Sequence, residues 1–215
     1  MFTAQTRAEA ADNGVAIGAS AGTLGAGLSI ATALVPRTLT LEADLNAPLS
    51  HSSDYDSNGL HFHGTVHVQA LGAMANFFPT PTRFHLGAGL FYNDNRIDAT
   101  AQAIDGSYTI NGQTYTHAQL NSLSGRVRFQ RASPYLGLGW GDATRTAGLH
   151  FIANAGVLYQ GDARVDVYAR TSYPPGSPQY DALYSNIDAQ RATIKDDLSR
   201  IRWYPVAVLA LLYRF

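Results

Sequence analysis

Short segments in which apolar and polar residues alternate are the main pattern of this sequence. The segment 38–45 is the clearest, since one face of an extended strand there would carry only apolar side chains, Leu39, Leu41, Ala43 and Leu45. The opposite face would carry Glu42 and Asp44. Because a carboxylate is costly to bury in an apolar interior, the two acids favour a polar enclosed space on that side over a dry core.

The alternation recurs along the chain and predicts eight strands. They fall at residues 15–21, 27–34, 38–45, 60–78, 84–92, 126–140, 149–160 and 206–215. The last strand has the length, about 10 residues, that a tilted strand needs to cross a bilayer. No stretch of the sequence approaches the roughly 18 consecutive apolar residues of a transmembrane helix. We therefore predict an all-β fold, an eight-stranded antiparallel up-and-down transmembrane β-barrel.

The connections between these strands differ in length on the two sides of the barrel. Short turns fall at 35–37, 79–82 and 141–147, whereas long segments fall at 46–59, 94–125 and 161–203. Short periplasmic turns and long extracellular loops are typical of outer-membrane barrels. We expect residues 1–12 to be a polar N-terminal lead-in and residues 13–215 to form a single β-barrel domain.

The long segments contain patterns of their own. Asn111 and Gly112 predict a type I′ turn in a hairpin over 108–115, and Thr116 predicts the N-cap of a short helix that ends at Leu123. Residues 50–59 are polar and predict a loop. Apolar residues at helical spacing predict an amphipathic helix over 181–202. Its apolar stripe would pack on the barrel mouth or on the other long segment, or would bind a partner or the outer leaflet.

The apolar side changes within two of the predicted strands. The change falls near Gln69 in the strand 60–78 and near Ser133 in the strand 126–140. A β-bulge near Gln69 would switch the face of the first strand. Alternatively, the upper part of that strand lies outside lipid, where either side can be apolar.

Composition narrows the possible functions. The net charge is -1 with no basic block, which gives no support for nucleic-acid binding. Cysteine is absent, so the chain has neither a disulfide framework nor thiol chemistry. Residues 1–12 lack the apolar core of a signal peptide, so we expect the chain to be the mature form of an exported protein.

Several stretches carry a resemblance to a known family. They are residues 22–25, 83–90 with Tyr92 and Asn93, 134–141, 155–161, 204–206 and the terminal 213–215. With these stretches the chain resembles a family of proteobacterial outer-membrane barrels of unassigned function, among the small eight-stranded OmpA/OmpX-type barrels. The resemblance implies a monomer in the Gram-negative cell outer membrane, in contact with outer-membrane lipid and lipopolysaccharide. It also implies that the barrel-assembly machinery recognises the C-terminal strand through Tyr213 and Phe215.

Polar residues on the predicted strands form two candidate sites. A lumenal network would contain Glu42, Asp44, Arg83, His85, Arg126, Arg128 and Arg214. Such a network is either a path for small solutes or a set of salt bridges that fills a lumen too narrow to conduct. The second candidate consists of three histidines on one strand face, His61, His63 and His67. The pair His61 and His63 could bind a transition metal if a third ligand converged on it. Otherwise they are polar side chains in water or in the lumen.

We expect a non-catalytic protein without a cofactor, with a structural role or a role in surface interactions made by its loops. One alternative is a narrow pore or a conduit for small hydrophobic ligands, which requires a continuous lumen or a lateral opening. A second alternative is a lipid A-modifying enzyme, which requires Ser, His and an acid to converge near the outer rim. A soluble β-sandwich or lipocalin-like barrel would instead enclose Leu39 and Leu41 and leave Glu42 in water.

Overall fold

The computed structural model describes residues 14–57, 60–103 and 106–215, so the predicted lead-in 1–12 lies outside the described residues. Within these ranges the chain forms fifteen strands and one α-helix. The strands are β1 (Val15–Gly22), β2 (Gly25–Val35), β3 (Leu39–Asn46), β4 (Leu49–Ser57), β5 (Leu60–Val68), β6 (Ala70–Phe77), β7 (Phe84–Asn93), β8 (Arg96–Ala103), β9 (Ser107–Ile110), β10 (Gln113–Thr116), β11 (Leu120–Arg128), β12 (Ala132–Trp140), β13 (Gly148–Tyr159), β14 (Arg164–Thr171) and β15 (Trp203–Arg214). Helix α1 spans Pro178–Leu198 and continues into a 3-10 turn at Ser199–Ile201.

Eight of these strands close into an antiparallel barrel in the order β1-β15-β13-β12-β7-β6-β3-β2. The first and last strands of the chain complete the wall, with Ala16 opposite Arg214 and Gly22 opposite Val208. The predicted all-β fold and the eight barrel strands are therefore confirmed. We call the end of the barrel at Phe215 the lower end and the opposite end the upper end.

Five barrel strands continue upward into a second sheet, in the order β14-β11-β8-β5-β4, which we call the upper sheet. Two predictions for this region are wrong. Residues 50–57 are not a loop, because β4 pairs along its whole length with β5. The stretch from Thr116 to Leu123 is not a helix, because Leu120 already begins β11 and Leu123 lies opposite Ala101 of β8. Backbone pairing with neighbouring strands thus outweighs the weak local signals in both segments.

The apolar side of the wall faces outward on the barrel but inward on the upper sheet. Val66 and Val68 of β5 line a cavity that also contains Gln160 and Tyr204 of the barrel mouth, so they face the same side as Ala70 and Met74 in the lumen. A β-bulge at Gln69 is therefore not needed to explain the change of face. The outward side is apolar on the barrel and polar on the upper sheet. We call the outward side of the upper sheet its polar face and the inward side its covered face.

Helix α1 and the hairpin β9–β10 pack on the covered face. The hairpin turn has positive φ at Asn111 and Gly112, as its Asn-Gly pair predicts. Helix α1 starts with Pro178 after Ser177, whose hydroxyl accepts a hydrogen bond from the Tyr180 N–H at 3.2 Å. The apolar stripe buries Leu183 and Ile187 among residues of the hairpin and the sheet, so the helix packs against the other long segment. Among the described residues, no helix combines the length and apolar character needed to cross a membrane.

Candidate functional site: the lumen and the upper sheet

The outer wall of the barrel is covered by large apolar side chains, which we call the apolar belt. They alternate with inward residues, because successive side chains of a strand point to opposite faces. A shallow groove of about 690 Å³ interrupts the belt where Ala153, Ala155 and Ala207 lie between larger residues. Exposed members of the belt include Leu28, Ile30, Leu41, Leu45, Leu71, Phe77, Leu86, Leu90, Tyr92, Leu136, Leu138, Trp140, Leu149, Phe151, Leu209, Leu211, Tyr213 and Phe215.

The middle of the lumen is polar. Asn76 donates a hydrogen bond of 2.7 Å from its amide to the Glu42 carboxylate, and Ser29 donates to Asp44. On the facing strands, His85 Nε2 lies 2.8 Å from Asn154 Oδ1. All six side chains are buried. The carboxylates are therefore partnered by neutral groups of the two neighbouring strands, β2 and β6, as buried polar groups require.

An apolar layer closes the lumen above these polar groups. Phe91 and Tyr135 meet edge to face with ring centroids 5.7 Å apart. Leu24 enters from the short turn between β1 and β2, and Thr23 in that turn accepts a 2.7 Å hydrogen bond from the Tyr204 hydroxyl. The buried cluster comprises Leu24, Ala70, Met74, Phe91, Tyr135, Leu158 and Val206. The remaining cavity beside Asp44 and Asn154 measures about 10 Å³, roughly the space for one water.

The lower opening is closed by the turn between β12 and β13. Asp142 and Ala143 of this turn are buried, and Arg145 forms a 2.6 Å ion pair with the Asp142 carboxylate. The Arg145 guanidinium also donates to the carbonyls of Pro81 and Thr82 at 2.9 and 2.6 Å, which ties two lower turns together. Arg145 lies 5.5 Å above the ring of Phe78, inside the lower end. Sequence reasoning treated 141–147 as a plain turn and missed this closure.

The structure places the seven residues of the predicted lumenal network in three different parts of the fold. Glu42, Asp44, His85 and Arg214 are buried on barrel strands. Arg83 is exposed in a lower turn, and Arg126 and Arg128 belong to the polar face of the upper sheet. The last two were expected in the lumen because the sequence predicts a single barrel strand over residues 126–140. The structure interrupts that segment at 129–131.

The polar face of the upper sheet consists almost entirely of charged and hydroxyl side chains. Cross-strand pairing brings opposite charges together, with Arg128 at 2.6 Å from Asp166 and Arg126 bonded to Asp98. The three predicted histidines also lie on this face. His61 Nδ1 is 2.6 Å from Asp56, and His63 Nδ1 is 2.5 Å from Asp54. The part of the chain that the structure describes contains no group of three or more such side chains arranged to hold a metal ion.

One serine, one histidine and one carboxylate do meet on this face. Ser50 Oγ lies 2.7 Å from His67 Nδ1, and His67 Nε2 lies 3.8 Å from Asp98. The longer separation exceeds a hydrogen bond, and the Asp98 carboxylate is bonded to Arg126. The aspartate therefore does not orient the imidazole as an acyl-transfer triad requires.

Two apolar cavities lie between the covered face and the elements above the barrel mouth. The first, about 280 Å³, is lined by Val66 and Ile97 of the sheet, by Phe129 just after β11, and by Ile201 and Trp203. The second, about 200 Å³, lies between the sheet and Ile187 and Ile194 of helix α1. Sequence reasoning did not predict these cavities, since they depend on packing between segments that are distant in the sequence.

Tyr108 of the hairpin forms hydrogen bonds to strands of the upper sheet through its hydroxyl. Its hydroxyl accepts a 2.7 Å hydrogen bond from the Ala103 N–H and lies 3.1 Å from the carbonyls of Ala101 and Asn121. Burial raises the pKa of the Tyr108 phenol, so the hydroxyl remains a donor at neutral pH. It thus connects β8, β9 and β11.

The fold and the filled lumen define a small closed antiparallel β-barrel. No protein-family model matches the chain, and no curated protein matches its sequence. The solved structures that are similar to it include two from one organism. CarO2 of Acinetobacter baumannii has a TM-score of 0.61 and 22% sequence identity, over 94% of this chain and 99% of that chain. CarO of the same organism has a TM-score of 0.56 and 20% identity, over 94% of this chain and 97% of that chain. At these identities the likeness concerns the fold.

Proposed function

We propose that the chain is an integral outer-membrane β-barrel protein. The supporting observation is the inside-out distribution of polarity, with the apolar belt outside and Glu42, Asp44 and His85 inside. A contiguous exposed apolar surface of this extent needs a non-aqueous environment. The barrel strands have 8 to 12 residues, close to the length that crosses a bilayer at a tilt.

In this proposal the upper sheet faces the cell exterior. The lower turns are short, whereas the upper sheet, the hairpin and helix α1 all lie on the other side, which matches the asymmetry of outer-membrane barrels. Recognition of Tyr213 and Phe215 by the assembly machinery stays a prediction, as does the monomeric state. Both residues do lie on the outer wall at the lower end, with ring centroids 5.2 Å apart.

The barrel serves as a non-conducting, non-catalytic scaffold that presents the upper sheet for surface interactions. The observation that carries this proposal is the filled lumen. The layer of Phe91 and Tyr135, the polar layer around Glu42 and the turn that contains Ala143 close it at three heights. An open pore would require side chains to leave all three layers.

Refolding in detergent followed by planar-bilayer recording tests both parts of the proposal. We expect a β-rich species whose gel mobility shifts on boiling, and no steady conductance after insertion. A chain that folds to a monodisperse β-rich form in plain buffer would contradict the membrane location. Reproducible conductance steps from heat-modifiable protein would contradict the closed scaffold.

Binding of a small apolar ligand above the mouth is a second candidate function. The two apolar cavities favour it, and so does a break in the wall between the first cavity and the outside. Pairing of β8 with β11 ends at Arg96 and Arg128, and pairing of β7 with β12 begins at Tyr92. Asn95 and Phe129 at this break line both the inner cavity and an outer cleft. The break is the kind of lateral opening that a hydrophobic-ligand conduit needs.

Quenching of Trp203 tests this second candidate. A Trp140→Phe variant leaves Trp203 as the single tryptophan, and 10-bromodecanoic acid serves as the probe. We expect saturable quenching that an Ile97→Phe substitution abolishes by filling the cavity, whereas Leu136→Phe on the apolar belt has no effect. Quenching that rises linearly with probe in all variants would mean partition into detergent and would contradict a site.

The lipid A-modifying alternative has its own test. We propose that Ser50 and His67 are not catalytic, since Asp98 does not orient the imidazole. Mass spectrometry of lipid A from cells that express the chain should give the same acylation pattern as cells that express Ser50→Ala. A change in acylation that depends on Ser50 would contradict this part of the proposal.

A further inference from the structure

Three arginines stand side by side on the polar face of the upper sheet. Arg128 lies directly opposite Arg96 on one neighbouring strand and directly opposite Arg164 on the other. Like charges in such cross-strand pairs repel each other. We call these three residues the arginine row. A sheet that keeps three cations in one row gains stability when an anion lies over them.

The arginine row is the lowest row of the polar face, next to the apolar belt. Arg128 is the last residue of β11 and Arg164 is the first of β14. Just below the row, the Arg131 guanidinium lies 5.9 Å from the centre of the Tyr92 ring, and Tyr92 belongs to the apolar belt. The cations therefore lie at the level where the apolar surface of the protein ends.

The carboxylates near the row leave one of its arginines unpaired. Arg96 lies 3.6 Å from Asp94 and 3.5 Å from Asp98, and Asp94 also lies 3.9 Å from Arg131. Asp166 pairs with Arg128, but within the described ranges Arg164 forms no ion pair. An open cleft of about 400 Å³ lies here and is lined by Arg128, Arg131 and Arg164 against the single acid Asp94. The cleft is thus cationic and accessible from outside.

We propose that this cleft binds the phosphate group of a lipid in the outer leaflet. Guanidinium groups bind phosphate through paired N–H donors, and several arginines around one cleft can surround its oxygens. A lipid whose acyl chains lie on the apolar belt would place its headgroup phosphate at the height of the cleft. The inference rests on the proposed membrane location and names the lipid class that the barrel would hold there.

A phosphorylated glycolipid fits the cleft better than a free anion does. Acyl chains on the belt and a phosphate in the cleft act together, so the second contact forms at high effective concentration. A free phosphate would gain only the exposed arginine contacts, which salt and water weaken. We therefore expect the lipid to bind and inorganic phosphate to bind weakly.

Native mass spectrometry of the refolded chain in detergent tests the proposal. The probes are diphosphorylated lipid A, the same lipid A after removal of both phosphates, and inorganic phosphate. The test variant is Arg164→Gln, with Arg128→Gln/Arg164→Gln as a stronger change. The matched control is Arg170→Gln, which removes an exposed arginine from the same strand face, six residues and about 20 Å further from the belt. A mobility shift on boiling shows that each variant has folded.

We expect the double variant to lose about tenfold or more in affinity for diphosphorylated lipid A, as loss of charged hydrogen bonds implies, while the control keeps its affinity. Lipid A without phosphates should bind the original chain and the double variant equally. Equal binding of both lipids by the folded original chain would overturn the proposal. Inorganic phosphate that binds as tightly as lipid A would also overturn it, by showing a free-anion site. Folding in plain buffer would instead overturn the membrane location.

Discussion

The ring of Phe91 packs against the backbone of Gly72, its direct partner on the neighbouring strand, and a methyl group added at Gly72 would overlap that ring. The two residues face the lumen from β7 and β6. The ring occupies the volume that a side chain on the neighbouring strand would otherwise take. Closure of the lumen thus depends on the absence of a side chain at Gly72 as much as on the large side chain of Phe91.

Replacement of Gly72 by alanine should therefore destabilise the barrel. Because Phe91 is fully enclosed and also contacts Tyr135, its ring cannot move aside, and overpacking of this kind costs roughly 1–3 kcal/mol. The measurement is the urea midpoint of the detergent-refolded protein. Gly64→Ala is the matched control, since the nearest atom to the added methyl there is the Ser53 carbonyl oxygen at 3.9 Å. Equal midpoints for the two variants would show that the lumen repacks freely.

The Phe91→Ala variant should remain non-conducting. The substitution removes the largest fully enclosed side chain of the upper layer and should cost about 3–5 kcal/mol of stability. The polar layer around Glu42 and the turn that contains Ala143 still fill the lumen below it. Planar-bilayer recording of heat-modifiable protein checks this expectation. A steady current through this single variant would mean that Phe91 alone closes the barrel.

The barrel strands could be predicted because each has one continuous apolar side, which faces outward. Leu39 and Leu41 show this pattern clearly, and Glu42, on the other side of the same strand, is buried in the lumen, as are Asp44 and His85. Strand β4 was missed because neither of its sides is apolar. It is held by backbone pairing with β5, which the sequence of β4 does not reveal.

The residues of the upper sheet and of the lower closure were harder to predict. Their positions depend on where a strand leaves the barrel and on which way a turn folds. Arg126 and Arg128 have the alternation of barrel residues, but their strand rises above the barrel, where the outward side is polar. The role of Arg145 depends on a turn that folds inward after Gly141, a residue with φ of 121°. Neither fact leaves a periodic signal in the sequence.

The Arg145→Gln substitution should loosen the lower end of the barrel. It removes the partner of a fully buried Asp142 carboxylate, and breaking such a pair typically costs several kcal/mol, with 3–5 as the usual range. Two hydrogen bonds that Asp142 accepts from Thr144 remain, so we expect about 2–4 kcal/mol. The urea midpoint measures the loss. Arg83→Gln, an exposed arginine in the adjacent lower turn, should have no effect, and a similar loss there would rule out a specific role for Arg145.

The Tyr108→Phe substitution should weaken the upper sheet and leave the barrel unchanged. It keeps the ring but removes the acceptor of the Ala103 N–H, and an unsatisfied buried N–H costs roughly 1–3 kcal/mol. Hydrogen exchange should therefore become faster across β8 and β11, while β13 and β15 exchange as before. Tyr168→Phe on the polar face is the control, because the Tyr168 ring is exposed. Faster exchange throughout the barrel strands would instead show that the upper sheet and the barrel unfold as one unit.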